Sequence, residues 1–213
     1  MRPLLLCPTQ YEASRLRSTA ASLGAEMHVV GVGLGCEQAI RALAADQARG
    51  RVAVMAGIAG AVAESATIGA AFAADRVVDE HGSVHHPTLP CTLPRLTLCC
   101  SRVVVVGEAA RSACAASTGA AMVDMESGPF ARVASSCGWR WSVLRGISDD
   151  AAVELPAEVM RWLRPDGGTN WVPLASDLIT RPRLWSPVRR MVRHASSAMR
   201  SVATHLPSLL GRA

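Results

Sequence analysis

The sequence predicts an α/β protein, a three-layer α/β/α sandwich built on a central mixed sheet. Short apolar runs without polar alternation alternate with stretches of helical periodicity along the chain. Strands of this kind are buried on both faces, which requires a layer of helices on each side of the sheet. Half of the 213 residues are hydrophobic, which is enough for a full core.

Each predicted strand is a short apolar run, and each predicted helix has apolar residues at three- to four-residue spacing. The predicted strands are 4–7, 26–32, 51–56, 71–78, 102–106 and 141–145. The predicted helices are 11–21, 37–48, 127–136, 156–163 and 172–179. Three prolines between 81 and 100 interrupt any regular element, so this segment is predicted to be a loop.

Charge divides the chain into two parts. The net charge is +5, but after Asp177 there are seven arginines and no acidic residue, so the preceding part is close to neutral. We therefore expect one domain over 1–180, suited to a small-molecule ligand, followed by a basic amphipathic helix over 181–213. The absence of lysine excludes Schiff-base chemistry and a P-loop. An aromatic content of 4% argues against a nucleic-acid partner that binds by base stacking.

The cysteines and histidines give no sign of a disulfide framework or a metal site. Seven cysteines, an odd number without a C-x-x-C pair, favour a reducing cytoplasm. The apolar run at 4–7 is too short for the core of a signal peptide. His81, His85, His86 and Cys91 match no standard zinc spacing, so no metal is predicted.

A glycine-rich turn, Gly-Val-Gly-Leu-Gly at 31–35, stands between a predicted strand and a predicted helix. Its spacing differs from the dinucleotide fingerprint, and no acidic residue follows about 20 residues later to bind a ribose, so a nicotinamide or flavin cofactor is disfavoured. Glycines such as Gly33 let the backbone approach an oxygen-rich ligand at a helix N-terminus. A tight strand-to-helix turn without a ligand is the alternative.

Carboxylates recur after two later strands, in Val-Asp-Met-Glu-Ser at 123–127 and Arg-Gly-Ile-Ser-Asp-Asp at 145–150. Strand ends of a doubly wound sheet line the ligand crevice, so acidic residues among apolar neighbours there point to a site. The spacing leaves open that Ser148 or Asp149 only caps a following helix.

Four segments together resemble the nucleoside phosphorylase and nucleosidase superfamily. They are Pro-Thr-Gln-Tyr-Glu at 8–12, the turn at 31–35, Ala-Gly-Ile-Ala-Gly at 56–60 with Ala-Asp-Arg-Val-Val at 74–78, and the two carboxylate motifs. The resemblance covers 4–151. It implies cleavage of an N-glycosidic bond through an oxocarbenium-like state, which needs a proton donor at the leaving base and negative charge near the sugar.

By this resemblance, Glu126 accepts hydrogen bonds from the ribose hydroxyls and Met125 packs beneath the sugar. Asp149 is the general acid toward the purine N7, oriented by Ser148, and a partly buried aspartate is suited to hold that proton. Glu12 activates the attacking water. For Glu12, an exposed acidic residue in the first turn of a helix is the alternative.

The nucleophile is expected to be water, with inorganic phosphate as the alternative co-substrate and no other cofactor. Phosphorolytic relatives surround phosphate with arginines and a hydroxyl side chain, whereas this chain has Ile58 where many relatives carry a hydroxyl. No arginine lies directly before it. Arg76 and Arg102 are the remaining candidate phosphate ligands.

The tail resembles the hopanoid-associated phosphorylase subgroup, through 155–156, 163–167, 180–182 and the basic helix that follows. This resemblance implies adenine removal from adenosylhopane, a membrane-resident lipid. The helix over 181–213 would then contact an anionic inner membrane surface peripherally. Packing of the same helix on the domain or on a partner subunit is the alternative, and relatives imply a homo-oligomer.

Two further functions stay open. One is a soluble nucleosidase for methylthioadenosine or adenosylhomocysteine. The other is a catalytically silent nucleoside-binding protein, which is suggested by Ile58, by Gly128-Pro129 at the start of a helix, and by the short segment before Val123.

Overall fold

The computed structural model describes residues 1–45, 49–152, 156 and 158–211. Its strands are β1 (Leu4–Cys7), β2 (Glu26–Val29), β3 (Val52–Ala61), β4 (Ala71–Val78), β5 (Val84–His85), β6 (Arg95–Cys100), β7 (Met122–Asp124) and β8 (Arg140–Asp149). Its helices are α1 (Gln10–Ser22), α2 (Cys36–Ala45), α3 (Glu108–Thr118), α4 (Ser127–Ser136), α5 (Val159–Trp162), α6 (Trp171–Thr180) and α7 (Trp185–Leu210).

The strands form one mixed sheet in the order β2-β1-β3-β7-β6-β4-β5, and β8 pairs with both β3 and β4. Strands β1, β2, β3 and β8 run parallel where they pair, while β7 is antiparallel to β3 and β4 is antiparallel to β8. Near the end of β3, Gly60 pairs with Val123 on one side and with Asp149 on the other. This register brings the two carboxylate motifs to the same edge of the sheet.

Two apolar clusters cover the two faces of the sheet. In β1, Leu4 and Leu6 join a cluster with α2 and α4, whereas Leu5 and Cys7 join a cluster with α1 and α7. Successive side chains of a strand point to opposite faces, so an unbroken apolar strand must be covered on both sides. The predicted α/β fold with a central mixed sheet is confirmed.

The structure corrects several predicted elements. The predicted strand 102–106 is wrong, because this segment is a loop in which Val103 and Val106 are exposed. A run of valines favours a strand only where a neighbouring strand can pair with it. The predicted loop 81–100 instead contains β5 and β6, and β6 begins directly after Pro94, where a proline does no harm to the ladder. Helix α3 was not predicted, and the strand implied by the carboxylates at 123–127 is β7, for which no bounds were predicted.

Other elements agree well with the sequence predictions. The bounds of β1, β4 and α4 are those predicted, and α1, α2, α5 and α6 lie where helices were expected. Some predictions fall outside the described residues. They concern the end of the second helix at 46–48, part of the helix 156–163, the tail motif at 155 and the final residues 212–213.

Helix α7 packs its apolar side against the sheet and α1. Its buried residues are Ala195, Ala198, Met199, Val202, Leu206, Leu209 and Leu210. The exposed side carries Arg189, Arg190, Arg193 and Arg200. From Ala195 onward this helix therefore packs on the domain, which was the alternative prediction. The apolar face of α7 is buried there and is not available to a membrane. Within the described ranges, no helix is both long and apolar enough to span a bilayer.

Candidate active site

Carboxylates from three separate parts of the chain line two adjoining cavities at the sheet edge. The larger cavity, about 360 Å³, contains Glu12 and Glu126, and the smaller, about 210 Å³, contains Glu126 and Asp149. Met125 lines both cavities. The structure thus brings together the three acidic residues that the sequence singled out, with Glu126 between the other two.

Glu12 is buried in the first turn of α1 and is not an exposed helix acid. Its Oε2 accepts hydrogen bonds from Thr9 N at 2.8 Å and from Thr9 Oγ1 at 2.6 Å, and its Oε1 accepts from Ile58 N at 2.8 Å. The bond from Thr9 N, together with the bond from Glu12 N to Thr9 Oγ1 at 3.2 Å, forms a capping box that fixes the start of α1. Burial raises the pKa of Glu12, although Arg145 and these hydrogen bonds act in the opposite direction.

Glu126 follows β7 and precedes α4, and its Oε1 accepts a hydrogen bond from Gly33 N at 2.6 Å. Burial, together with the nearby Asp124, raises the pKa of Glu126 to about 7. Gly33 has a φ of +65°, a conformation that suits glycine, and it uses its N–H to hold the carboxylate. Gly33 therefore orients Glu126, and a contact of Gly33 with a substrate stays a prediction.

Ser148 and Asp149 lie at a β-bulge near the end of β8. The register passes from Ala59–Ile147 to Gly60–Asp149, which leaves Ser148 as the extra residue. A bulge redirects side chains that would otherwise alternate between faces. As a result, Ser148 Oγ donates to Asp149 Oδ1 at 2.7 Å. Ser148 and Asp149 belong to the strand, so neither acts as the cap of a helix.

Arg111 of α3 forms a buried ion pair with Asp149 Oδ2. Its other terminal nitrogen, Nη1, donates to Ala61 O at 2.5 Å, and its Nε is buried without a hydrogen-bond partner. The guanidinium therefore compensates the charge of Asp149 and ties it to the end of β3. The sequence predicted only that Asp149 is partly buried, and the structure adds a buried arginine that pairs with it.

Arg145 of β8 is fully buried and lies among the carboxylates. Its Nε donates to Asp124 Oδ2 at 2.8 Å, and Nη2 lies 2.6 Å from the same oxygen. A Cβ placed on Gly57 would lie within 3 Å of both Glu12 Oε1 and Arg145 Nη1, so the two groups are close neighbours. Burial opposes the charged guanidinium, but attraction by Asp124, Glu126 and Glu12 outweighs it and raises the pKa of Arg145.

The two arginines named as candidate phosphate ligands do not line either cavity. Arg76 donates to Thr97 Oγ1, and Arg102 is exposed beside His81. The side chain of Ile58 lines both cavities. Arg111 and Arg145 are the functional candidates that the sequence interpretation missed. For Arg145 there was a signal, since it is a charged residue in the middle of a buried strand, between Leu144 and Gly146.

Comparisons with known proteins agree with this fold. Residues 89–180 match the sequence profile described as the Phosphorylase superfamily, and no curated protein matches the chain. The chain is similar in structure to futalosine hydrolase of Helicobacter pylori, with 12% identity, a TM-score of 0.69, and coverage of 100% of this chain and 98% of the other.

Two nucleosidase structures are also similar. The 5′-methylthioadenosine/S-adenosylhomocysteine nucleosidase of H. pylori has 12% identity and a TM-score of 0.70, covering 100% and 99% of the two chains. The Streptococcus pneumoniae enzyme of the same name has 16% identity and a TM-score of 0.68, covering 99% and 98%. At these identities the likeness establishes the fold.

Proposed function

We propose that the protein cleaves the N-glycosidic bond of an adenosyl compound and releases adenine. The observation that carries this proposal is the convergence of Glu12, Glu126 and Asp149 on two adjoining cavities. Three acidic groups at fixed positions supply the three requirements of the reaction: a base for the nucleophile, negative charge at the sugar, and a proton for the leaving group. The match of 89–180 to the Phosphorylase superfamily supports the same chemistry.

The adenine ring would occupy the smaller cavity, with N7 facing Asp149. Arg111 and Ser148 hold Asp149 as a carboxylate when no substrate is bound, so Asp149 would first take up a proton from solvent. As the bond between C1′ and N9 breaks, its electron pair stays with the base, and Asp149 delivers that proton to N7 so that adenine leaves neutral. Ser148 and Arg111 hold one carboxylate oxygen each, which fixes the direction of the transfer. We assign Arg111 as a positioning residue because it contacts Asp149.

The ribose would lie at the junction of the cavities, over Met125 and against Glu126. Gly33 N donates a hydrogen bond to Oε1 of Glu126 and so fixes the orientation of the carboxylate. In this orientation the carboxylate would accept hydrogen bonds from the ribose hydroxyls. Negative charge at this position stabilises the positive charge that develops on the sugar as the bond breaks.

We propose water as the nucleophile, with inorganic phosphate as the alternative. The water oxygen would bond to C1′ while Glu12 takes its proton. A base is most effective when its pKa is close to the working pH, and burial raises that of Glu12 from its usual acidic range. The candidate phosphate ligands Arg76 and Arg102 are outside the cavities, while Arg111 and Arg145 already pair with carboxylates, which favours hydrolysis.

The preferred substrate is adenosylhopane. Beyond Glu12 and Glu126, most side chains that line the larger cavity are apolar, and α5, α6 and α7 contribute several of them, including Trp162, Leu174 and Met191. An apolar lining favours an apolar 5′-substituent. A soluble nucleosidase for methylthioadenosine or adenosylhomocysteine is the second candidate, favoured by the folds of the two nucleosidase structures. A homo-oligomeric state, the cytoplasmic location and the domain limits 1–180 and 181–213 stay predictions.

The test is adenine release by the Asp149→Asn variant, with Asp150→Asn as the matched control. Replacing the acid should lower the rate by about a hundred- to ten-thousandfold and leave nucleoside binding largely intact. The amide oxygen of the asparagine still accepts from Arg111, and thermal unfolding would check that the variant folds. Equal turnover by the two variants would contradict the acid role. No adenine release by the unaltered protein would favour the silent binding protein.

A further inference from the structure

The outward face of α6 is apolar and exposed. Trp171 is 71% exposed, Val172 79% and Ile179 77%, and the positions between them on that face are Ala175 and Ser176. The single charged residue of the helix, Asp177, is turned inward and accepts a hydrogen bond from Trp162 Nε1 at 2.7 Å. An isolated apolar residue at a surface is ordinary, but a helix face without any charge is not.

The patch continues onto the start of α7. Trp185 is 58% exposed, and its indole N–H donates to Leu178 O at 2.7 Å, which places the ring against the end of α6. Arg189 and Val192 lie one and two turns further along the same side of α7, and both are exposed. We call Trp171, Val172, Ile179 and Trp185 the α6 patch.

The charge beside the patch is positive. Exposed arginines adjoin its α7 end, namely Arg183, Arg189, Arg190 and Arg193, and no ion pair engages them in the described residues. The acidic side chains described between 158 and 211 are each paired with an arginine: Glu158 with Arg181, Asp166 with Arg164, and Asp177 with Arg161. Little negative charge is left to oppose an anionic surface there.

We infer that the α6 patch is a docking surface for an anionic lipid bilayer. Tryptophans favour the boundary between headgroups and acyl chains, and short apolar helices lie in that plane. Each arginine near an anionic leaflet adds attraction that salt weakens. This assignment moves the expected membrane contact from the apolar face of α7, which is buried, to α6 and the first turns of α7.

The docking surface adjoins the mouth of the larger cavity. Leu174 on the inner side of α6 lines this cavity, as does Val192, which is exposed on α7. A bilayer at the α6 patch would therefore lie beside the opening through which an apolar substituent enters. This last step alone rests on the proposed function, whereas the docking itself does not depend on the reaction.

The experiment is cosedimentation with vesicles, which needs no turnover. Vesicles of mixed phosphatidylcholine and phosphatidylglycerol are compared with pure phosphatidylcholine, at low and high salt. The Val172→Ser/Ile179→Ser variant removes apolar surface without changing charge, and Val84→Ser, an exposed valine of β5, is its control. Arg189→Ser is compared with Arg140→Ser, also an exposed arginine. Thermal unfolding would verify that each variant folds.

We expect the unaltered protein to bind mixed vesicles, more weakly at high salt and on pure phosphatidylcholine. The Val172→Ser/Ile179→Ser variant should lose about tenfold or more in affinity, and Arg189→Ser about fivefold, with both controls unchanged. Equal binding by the patch variant and Val84→Ser would overturn the inference. Absence of vesicle binding, with self-association that Val172→Ser/Ile179→Ser abolishes, would assign the patch to a second copy of the chain instead. Failure of adenine release would leave these outcomes unaffected.

Discussion

The sheet edge and the layer formed by α5, α6 and α7 contribute side chains of different chemistry to the same two cavities. The sheet edge, with α1 and α3, supplies buried carboxylates and guanidiniums that are held by hydrogen bonds and ion pairs. The helical layer contributes only apolar or weakly polar side chains, namely Val159, Met160, Trp162, Leu174, Val188, Met191, Val192 and Ala195. Under the proposed function, the reaction and the choice of substituent are therefore built on separate parts of the fold.

The two regions should also respond differently to substitution. A buried charged network is sensitive to loss of one member, because the remaining charge has no partner and no access to water. A substitution that changes the shape of an apolar lining lowers the free energy of unfolding by less. Three predictions test this difference, in order of decreasing effect.

The largest effect is expected for Arg145→Met. Loss of the guanidinium leaves Asp124, Glu12 and Glu126 without their shared cation, so we expect the free energy of unfolding to fall by about 3–5 kcal/mol near neutral pH. Arg140→Met, at the exposed start of the same strand, is the control and should change stability by about 0.5 kcal/mol or less. Denaturant unfolding measures both. Similar losses in the two variants would mean that the network does not hold the site together.

The next effect concerns Glu126. Its native pKa of about 7 exceeds its ordinary value of 4.5, so the native state binds this proton more tightly than the unfolded chain. The free energy of unfolding should therefore fall as pH rises between these two values and stay low above them. Glu126→Gln removes this dependence and should stabilise the protein by about 1–3 kcal/mol at about pH 8, with little change at about pH 4.

Thermal unfolding across this pH range, with exposed Glu64→Gln as the control, measures the effect of Glu126. The same variant should lose adenine release because the ribose loses its charged partner. A curve for Glu126→Gln that runs parallel to that of the unaltered protein would show that Glu126 titrates normally.

The smallest effect is expected in the helical layer. Val188 of α7 lines the larger cavity only, so Val188→Phe narrows the space for the 5′-substituent without reaching the base. We expect kcat/KM to fall about tenfold for an adenosyl compound with a long apolar substituent and to change by about twofold or less for methylthioadenosine. Val84→Phe on β5 serves as the control. An equal loss of kcat/KM for both substrates would mean that the helical layer does not determine which 5′-substituent is preferred.

The sequence predicted the layered fold and the main carboxylates because both follow from local patterns. An unbroken apolar strand such as β1 can only lie between two layers, and apolar residues at helical spacing located α1 and α4. The prediction of a strand at 102–106 was wrong because a run of valines forms a strand only beside another strand that can pair with it, and the sequence does not reveal such a partner. Helix α3, rich in alanine and serine, buries only Arg111, so it has no stripe of large apolar residues to mark it and was missed.

The partners of the carboxylates were harder to predict than the carboxylates themselves. Arg111 comes from the unpredicted α3 and reaches Asp149 across 38 positions of sequence. The bulge at Ser148 depends on the register between β3 and β8, which no local pattern determines. Arg145, by contrast, could have been found, because a charge in the middle of a buried strand must have a partner.

The most direct test of the central claim measures adenine release from adenosylhopane in detergent and from methylthioadenosine, each with and without phosphate. We predict release without phosphate, with the higher kcat/KM for the lipid substrate. Release from methylthioadenosine only would contradict the assignment of the apolar cavity to a lipid substituent, and a requirement for phosphate would contradict water as the nucleophile. Absence of release from both compounds would contradict the proposed reaction itself.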